Sequence, residues 1–521
     1  RTYADLFLKL SSDPDLRDNV AYFYDLNAKA NVRLGRTGTL MVSGYFGRDR
    51  FAIADRFGAG WGNAAGTIRW NQAFGNRLFS KVALTISEYD YGLEFLGIGR
   101  DLAWTSRIGV VDLKVGETLH IGNGNLIEVG GELSRHEIQP GSIRPVGDSP
   151  VTPLDLQPRY GLAPALHLSH EIELGNGLSL RYGVRYAGFR REGPGRVYRY
   201  PGSNPITYDS RLGRYQRNEA IDSIEYRNGE TIGWFDGLEP RASIRVGLSE
   251  GSSLKASYSR TRQFLHLGSN TNSPTPVDIW EPVGPYLDPQ LADQVALGYA
   301  TTLGARGYEL SVETYYKRLD QVTDFIDGAD IALNDRLETE MRQGEGRAYG
   351  LEVYLRKLTG RVTGWVSYTL NRSERRLEGL TAEDPGVNGG RYYPSPYDKT
   401  HDLAVVSFVP LSRRWTFGGT FVLASGLPAT YPMSRYQYDG HLVIEYGPRN
   451  SARLPAYHRL DVTFTRTWGG KQLQLGIFNL YNRFNAQSIG FQQREGNPLQ
   501  LEATQTSIFG IVPGVSFSMR F

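Results

Sequence analysis

Val515-Ser516-Phe517-Ser518-Met519-Arg520-Phe521 alternates apolar and polar residues in strict order. A period of two puts successive side chains on opposite faces of a β-strand. In a membrane barrel one face meets lipid and the other a wet lumen, so such a strand suits that wall. A soluble sandwich strand alternates too, and the rest of the chain decides between them.

The pattern recurs throughout. Tyr22, Tyr24, Leu26, Ala28, Ala30, Val32 and Leu34 alternate with Asp25, Asn27, Lys29, Asn31 and Arg33. Leu162, Pro164, Leu166, Leu168, Ile172 and Leu174 form an apolar face, and Leu178, Leu180, Tyr182, Val184 and Tyr186 return it after Gly175-Asn176-Gly177. Glycine and asparagine tolerate positive φ, which a tight hairpin turn requires. The same alternation at Leu460–Phe464 and Leu473–Ile477 flanks a turn at Trp468–Lys471.

Composition agrees with a barrel. No run of about 18 apolar residues exists, which excludes transmembrane helices. Mean hydropathy is -0.39, but a barrel hides its apolar residues in alternate positions. The chain holds 61 glycines, 32 tyrosines and 22 phenylalanines, a supply for turns and interfacial aromatic girdles. A net charge of +3 against 58 basic and 55 acidic residues speaks against a nucleic-acid partner. The absence of cysteine excludes disulfides and thiolate metal sites.

Short turns alternate with long polar connections. The short ones fall near 36–38, 75–77, 122–124, 175–177, 250–251, 304–306, 359–360, 412–413 and 469–470. The long ones fall at Gly193–Gly237, Ser269–Gln290, Ala329–Gly346 and Thr381–Lys399. Outer-membrane barrels have short periplasmic turns and longer outer loops, so the C-terminus is expected at the periplasmic rim. The expectation is an all-β, transmembrane antiparallel β-barrel of about 20 strands, from Thr2–Leu8 to Val512–Phe521.

Several segments resemble the TonB-dependent outer-membrane receptors, in particular the barrel of a Bacteroidetes-type member. They are Tyr22–Lys29, Ser43–Asp49, Gly60–Asn63, Pro285–Gln290, Tyr397–Leu403, Ala424–Thr430, Tyr457–Asp461, Phe478–Asn485 and the terminal Phe521. The resemblance spans residues 1–521 as one barrel domain and implies a 22-stranded barrel preceded by a plug domain. On that basis two strands and the plug are expected upstream of Arg1, because lipid tolerates no open sheet edge. The resemblance also implies outer-membrane lipid and the TonB energy-transducing system, coupled through the plug, as partners. A surface lipoprotein or other assembly subunits stand as alternative partners.

Nothing in the sequence supports catalysis, a cofactor or a metal centre. There is no Gly-x-Ser-x-Gly elbow, phosphate loop or His-Glu-x-x-His pair. His167 and His170 are three apart, an offset that sends them to opposite faces of a strand. Asp13, Asp15 and Asp18 have no visible source for the other ligands a calcium ion takes, so a solvated acidic loop is favoured.

Parity assigns Tyr24, Leu26, Val184, Tyr186, Val366, Tyr368, Val515 and Phe517 to lipid. It assigns Arg181, Arg185, Lys255, Glu309, Glu313, Tyr315, Trp365 and Asn371 to the lumen. For any single one of these, a hydrated wall whose charges pair among themselves is the simpler reading. Loop aromatics and their cationic neighbours are the better ligand candidates: Trp280, Tyr286, Arg391, Tyr392, Tyr393 and Tyr397. Such faces bury area while leaving hydrogen-bond partners in reach, although an interfacial aromatic belt or packing within the loops explains them equally well. The expected function is ligand import from outside in a TonB-coupled, plug-gated manner. A non-transporting barrel scaffold in a surface assembly and a passive porin-like channel remain open.

Overall fold

The computed structural model describes residues 19–521 apart from 54–55, 98, 123, 176, 269–277, 305–306, 332–333, 439–440, 495–496 and 521, together with Lys9 and Arg17. The proposed strand Thr2–Leu8, the acidic residues Asp13, Asp15 and Asp18, and Phe521 lie outside the described residues.

One sheet of 21 strands carries the molecule. Two of these are two-residue pieces, Leu154–Asp155 and Tyr393–Pro394, which leaves 19 long strands. They run from Val20–Leu34 to Val512–Met519, each antiparallel to the next long strand in sequence. Among the described elements, helix is confined to single turns such as Pro201–Ser203 and Leu337–Thr339. Tight turns at glycines join the strands at one end. Gly35, Gly75 and Gly177 take φ of 65°, 66° and 74°, which a side chain resists.

Register keeps the two faces chemically distinct, since directly opposed residues share a face. Val246, Leu254, Tyr299, Val312, Val353, Tyr368, Leu403 and Leu423 stand opposite one another in turn across eight strands. The last strand continues the band, with Val515 opposite Leu475 and Phe517 opposite Leu473. Val515 is 75 % and Phe517 58 % exposed, so nothing among the described residues covers the band here. All eight residues assigned to lipid by parity lie on this face.

The strands outrun the apolar band. The first six hold 15–21 residues, against about 9–11 needed to cross a bilayer at a tilt. Far from the tight turns, the apolar-face positions therefore become charged and paired. Arg48 meets Asp90 at 3.2 Å, Arg50 meets Glu94 at 3.4 Å and Arg107 meets Glu137 at 2.6 Å.

The long connections are folded rather than irregular. Within 193–237, Gly195–Arg199 pairs with Asp222–Tyr226 and Ile206–Asp209 with Arg214–Arg217, while the next sheet strand already starts at Thr231. Leu265–Gly268 pairs with Ile279–Pro282, and Pro432–Tyr438 with His441–Tyr446.

Candidate functional site

At the long-loop end the connections lock onto one another through buried ion pairs. The hairpin Leu265–Gly268/Ile279–Pro282 lies against the strands Arg159–Gly175 and Leu178–Glu192. Its Glu281 accepts from Arg159 and Arg191, each at 3.2 Å, with all three side chains largely buried. Arg159 also reaches Asp335 at 3.5 Å, tying in the loop before Met341. Phe189, fully buried, stacks on Phe264 at 5.7 Å beneath this hairpin. Guanidinium forks suit this role because they satisfy several acceptors at fixed geometry once water is excluded.

A second knot centres on Asp324. Its carboxylate accepts from the Tyr393 hydroxyl at 2.5 Å and meets Arg449 at 3.4 Å and Arg375 at 3.9 Å. Nearby, Asp384 accepts from Tyr215 at 2.8 Å and from the backbone N–H groups of Leu380 and Gly386. Asp398, wholly buried, accepts from Ser373 N at 2.6 Å and pairs with Arg453. Glu340 pairs with Arg217 from the 193–230 connection. Apolar contacts fill the spaces: Ile279, Ile331, Leu337 and Met341 form one cluster, and Leu377, Val387 and Tyr393 another.

Burial, and then the adjacent carboxylate, pushes the Tyr200 and Tyr393 hydroxyls above the usual phenol range, so both stay protonated donors. Burial also pushes the Glu338 carboxyl up, with the Tyr200 hydroxyl donating to it at 2.8 Å. Buried polar networks of this kind rigidify what they join. These connections form one braced cap.

The six candidate ligand residues separate on this cap. Tyr393 is buried with its hydroxyl committed to Asp324. Tyr392 is clasped between the Arg347 and Arg376 guanidinium groups, 4.0 and 5.1 Å from its ring centre. Tyr286 donates to Tyr198 O at 3.0 Å and meets the Tyr200 ring edge-on, while Trp280 is half-buried opposite Leu267. Arg391 and Tyr397 are exposed. The bracing carboxylates Asp324, Asp384, Asp398 and Glu340 carry no sequence signal, because their arginine or tyrosine partners lie 42–169 residues away.

The eight residues expected in the lumen share the sheet face opposite the apolar band. Arg181 stands in one row with Ser243, Ser257, Ala296, Tyr315, Gly350 and Asn371. Arg181 pairs with Glu128 at 2.7 Å, and Arg185 with Glu132 and Glu239, both at 3.3 Å. Tyr315 donates to Asn371 at 3.0 Å, Glu309 pairs with Arg356 at 3.6 Å, and Trp365 lies beside Tyr354. His167 lies opposite Arg185 on this face, whereas His170 sits on the other, 2.9 Å from the Tyr182 hydroxyl.

A meandering sheet of long strands with one bare apolar face, one charge-paired face and a cap of braced loops defines a membrane receptor barrel. The chain belongs to the family described as TonB dependent receptor-like, beta-barrel, whose model matches residues 2–480. Members of this family are outer-membrane transport receptors rather than enzymes. No curated protein matches it in sequence. Among solved structures, the ferric citrate transporter FecA in its unliganded form is 12% identical with a TM-score of 0.65, the match covering 97% of this chain and 71% of that one. The siderophore receptor PiuA from Acinetobacter baumannii is 13% identical, TM-score 0.64, with 96% and 74% covered. The copper transporter OprC is 10% identical, TM-score 0.64, with 96% and 72% covered. At these identities the likeness is one of fold.

Proposed function

We propose that the protein imports a ligand from outside the cell, with a plug domain gating the barrel and the TonB system supplying energy. The family match over residues 2–480, on a sheet built as a receptor barrel, carries this reading. The charge-paired face is then the lumen wall, the apolar band meets outer-membrane lipid, and the braced cap faces outward with the tight turns and C-terminus periplasmic. The barrel is of the Bacteroidetes type, and residues 1–521 form one barrel domain. Trp280, Tyr286, Arg391, Tyr392, Tyr393 and Tyr397 supply the ligand side of the cap. Arg391 and Tyr397 make direct contact because they alone of the six are exposed. Tyr392 and Tyr393 hold the loop in place.

Uptake by cells with and without a functional TonB system tests this, together with single-channel conductance of the purified full-length protein. Energy-dependent uptake and a nearly silent channel are expected. Large steady conductance would instead identify a passive channel, and wild-type uptake after deletion would identify a scaffold. Protease added to intact cells should cut near Tyr397 and spare Gly175–Gly177; the reverse would invert the orientation.

A further inference from the structure

On the outward face the strands rise past the apolar band in two chemically different sectors. From Gly38–Ile53 round to Asn125–Pro145, Arg48, Arg50, Arg107 and Arg144 each have a carboxylate of their own: Asp90, Glu94, Glu137 and Asp155. Across the strands Ser252–Gln263, Gln290–Leu303, Tyr308–Phe325, Met341–Lys357 and Thr363–Arg376 the supply is shorter. There Tyr258, Val295, Tyr316, Tyr349 and Arg372 stand opposite one another in turn, and the next row up on the same face reads Arg260, Asp293, Arg318, Arg347 and Glu374. Four guanidinium groups meet two carboxylates within these rows. Asp293 holds Arg260 at 2.8 Å, and Glu374 holds both Arg347 and Arg372, at 2.7 and 2.9 Å. Arg318 turns to the row above, meeting Asp320 at 3.2 Å and Glu345 at 3.9 Å, where Arg376 already takes Glu345 at 2.8 Å.

The Glu374 side chain is 5 % exposed, against 60 % for Arg318 and 48 % for Arg372, so the carboxylate is recessed and guanidinium groups form the surface. Arg318 also stands directly opposite Arg347. Directly opposed like charges cost stability unless something neutralises them. The tyrosines set the depth. Tyr316 and Tyr349 stack at 6.3 Å on the apolar face, two rows above Val312 and Val353. Aromatic girdles mark the edge of the hydrocarbon, so the arginines just above them lie at headgroup level. Guanidinium forks match the oxygens of a phosphate there. The cluster is on the outside of the wall, beyond the reach of anything held in the lumen.

We propose that Arg318, Arg347 and Arg372 form a site for the phosphate of an outer-leaflet lipid headgroup, with Arg260 at its edge and the Tyr316–Tyr349 stack against the upper ends of the acyl chains. The site rests on the apolar band meeting lipid, and it adds to that reading a headgroup chemistry confined to one sector of the wall.

Full-length protein in an uncharged detergent is titrated with dioleoyl phosphatidylglycerol, or with dioleoylglycerol, which has the same chains and no phosphate. Bound lipid is counted by native mass spectrometry. The phospholipid is expected to bind about tenfold more tightly, the scale of one charge-assisted contact. Arg318→Gln/Arg372→Gln should abolish that preference, and Arg48→Gln/Arg50→Gln, which removes as many charges from the balanced sector, should keep it. Should the first variant fail to fold, seen as lost heat-modifiable gel mobility, Arg318→Gln alone carries the comparison, since it leaves the buried Glu374 with both its partners. Equal retention of the two lipids, or equal loss of preference in both variants, would overturn the site. Displacement of the phospholipid by excess inorganic phosphate would overturn it too, by showing a site for a soluble anion. Retention of neither lipid would remove the lipid-facing reading along with the site, whereas equal retention removes the site alone.

Discussion

The Tyr393 hydroxyl donates a 2.5 Å hydrogen bond to the Asp324 carboxylate, 69 residues earlier in the chain. Asp324 ends a long sheet strand, Tyr308–Phe325, and Tyr393 belongs to the two-residue piece that pairs with Thr363–Arg376. The bond thus fixes an outer loop to the barrel rim, and the cap inherits the rigidity of the wall.

Tyr393→Phe keeps the ring and removes the donor. Asp324 retains Arg449 and Arg375, so the loss should be about 1–3 kcal/mol, the scale of one buried acceptor left short. Faster proteolysis between 377 and 400 with unchanged barrel melting is the expected outcome. Equal protease resistance would show that the bond braces nothing.

Asp398 holds both Arg453 and the Ser373 backbone N–H. Asp398→Ala strands both donors and should cost about 2–3 kcal/mol. Loosening should appear in amide exchange around 425–455. Asp398→Asn, which keeps one acceptor toward Ser373 N, should fall between the two proteins.

Val184 lies on the apolar face between Leu168 and Pro240, and Ser243 on the opposite one between Arg181 and Ser257. Val184→Arg should destabilise the barrel by about 2–4 kcal/mol, and Ser243→Arg by much less. Urea titration of refolding into vesicles measures both. Equal costs would place the two faces in the same medium, since a one-residue register slip exchanges them.

Burial lowers the His266 imidazole to about 4. Its Nε2–H donates to Asp288 O at 3.1 Å, and Nδ1 accepts from Gln290 and Thr323 at 3.0 and 2.9 Å, so the native ring is neutral. The unfolded hairpin takes up a proton below its ordinary value of 6.5 and the folded one only near 4. Stability from this group is therefore complete above 6.5 and lost as pH falls toward 4. The raised Glu338 carboxyl works in the opposite direction, gaining as pH falls. A cysteine pair introduced as Leu267→Cys and Trp280→Cys reports hairpin closure by its crosslinking yield. The yield should drop between pH 6.5 and 4, and His266→Gln should flatten that drop. An unchanged profile in the variant would remove the histidine from the account.

The alternation at Val515–Met519, and its repeats from Tyr22 onward, determined the strands, the two faces and the turns, and with them an all-β membrane wall. Those features are local: side-chain period follows from backbone geometry, and a glycine turn fixes the register of its two strands. The sequence also placed Arg181, Tyr315 and Asn371 on one face, because parity propagates through paired strands. Tertiary structure alone decided which loop aromatics are free. Tyr393 and Tyr397 are four residues apart in the same loop, yet one is buried on Asp324 and the other is exposed. It also decided the bracing pairs, Arg159 with Asp335 and Arg453 with Asp398. A buried charge is stable only where a distant partner arrives with the right geometry, and that arrival depends on how whole loops pack, which no local period encodes.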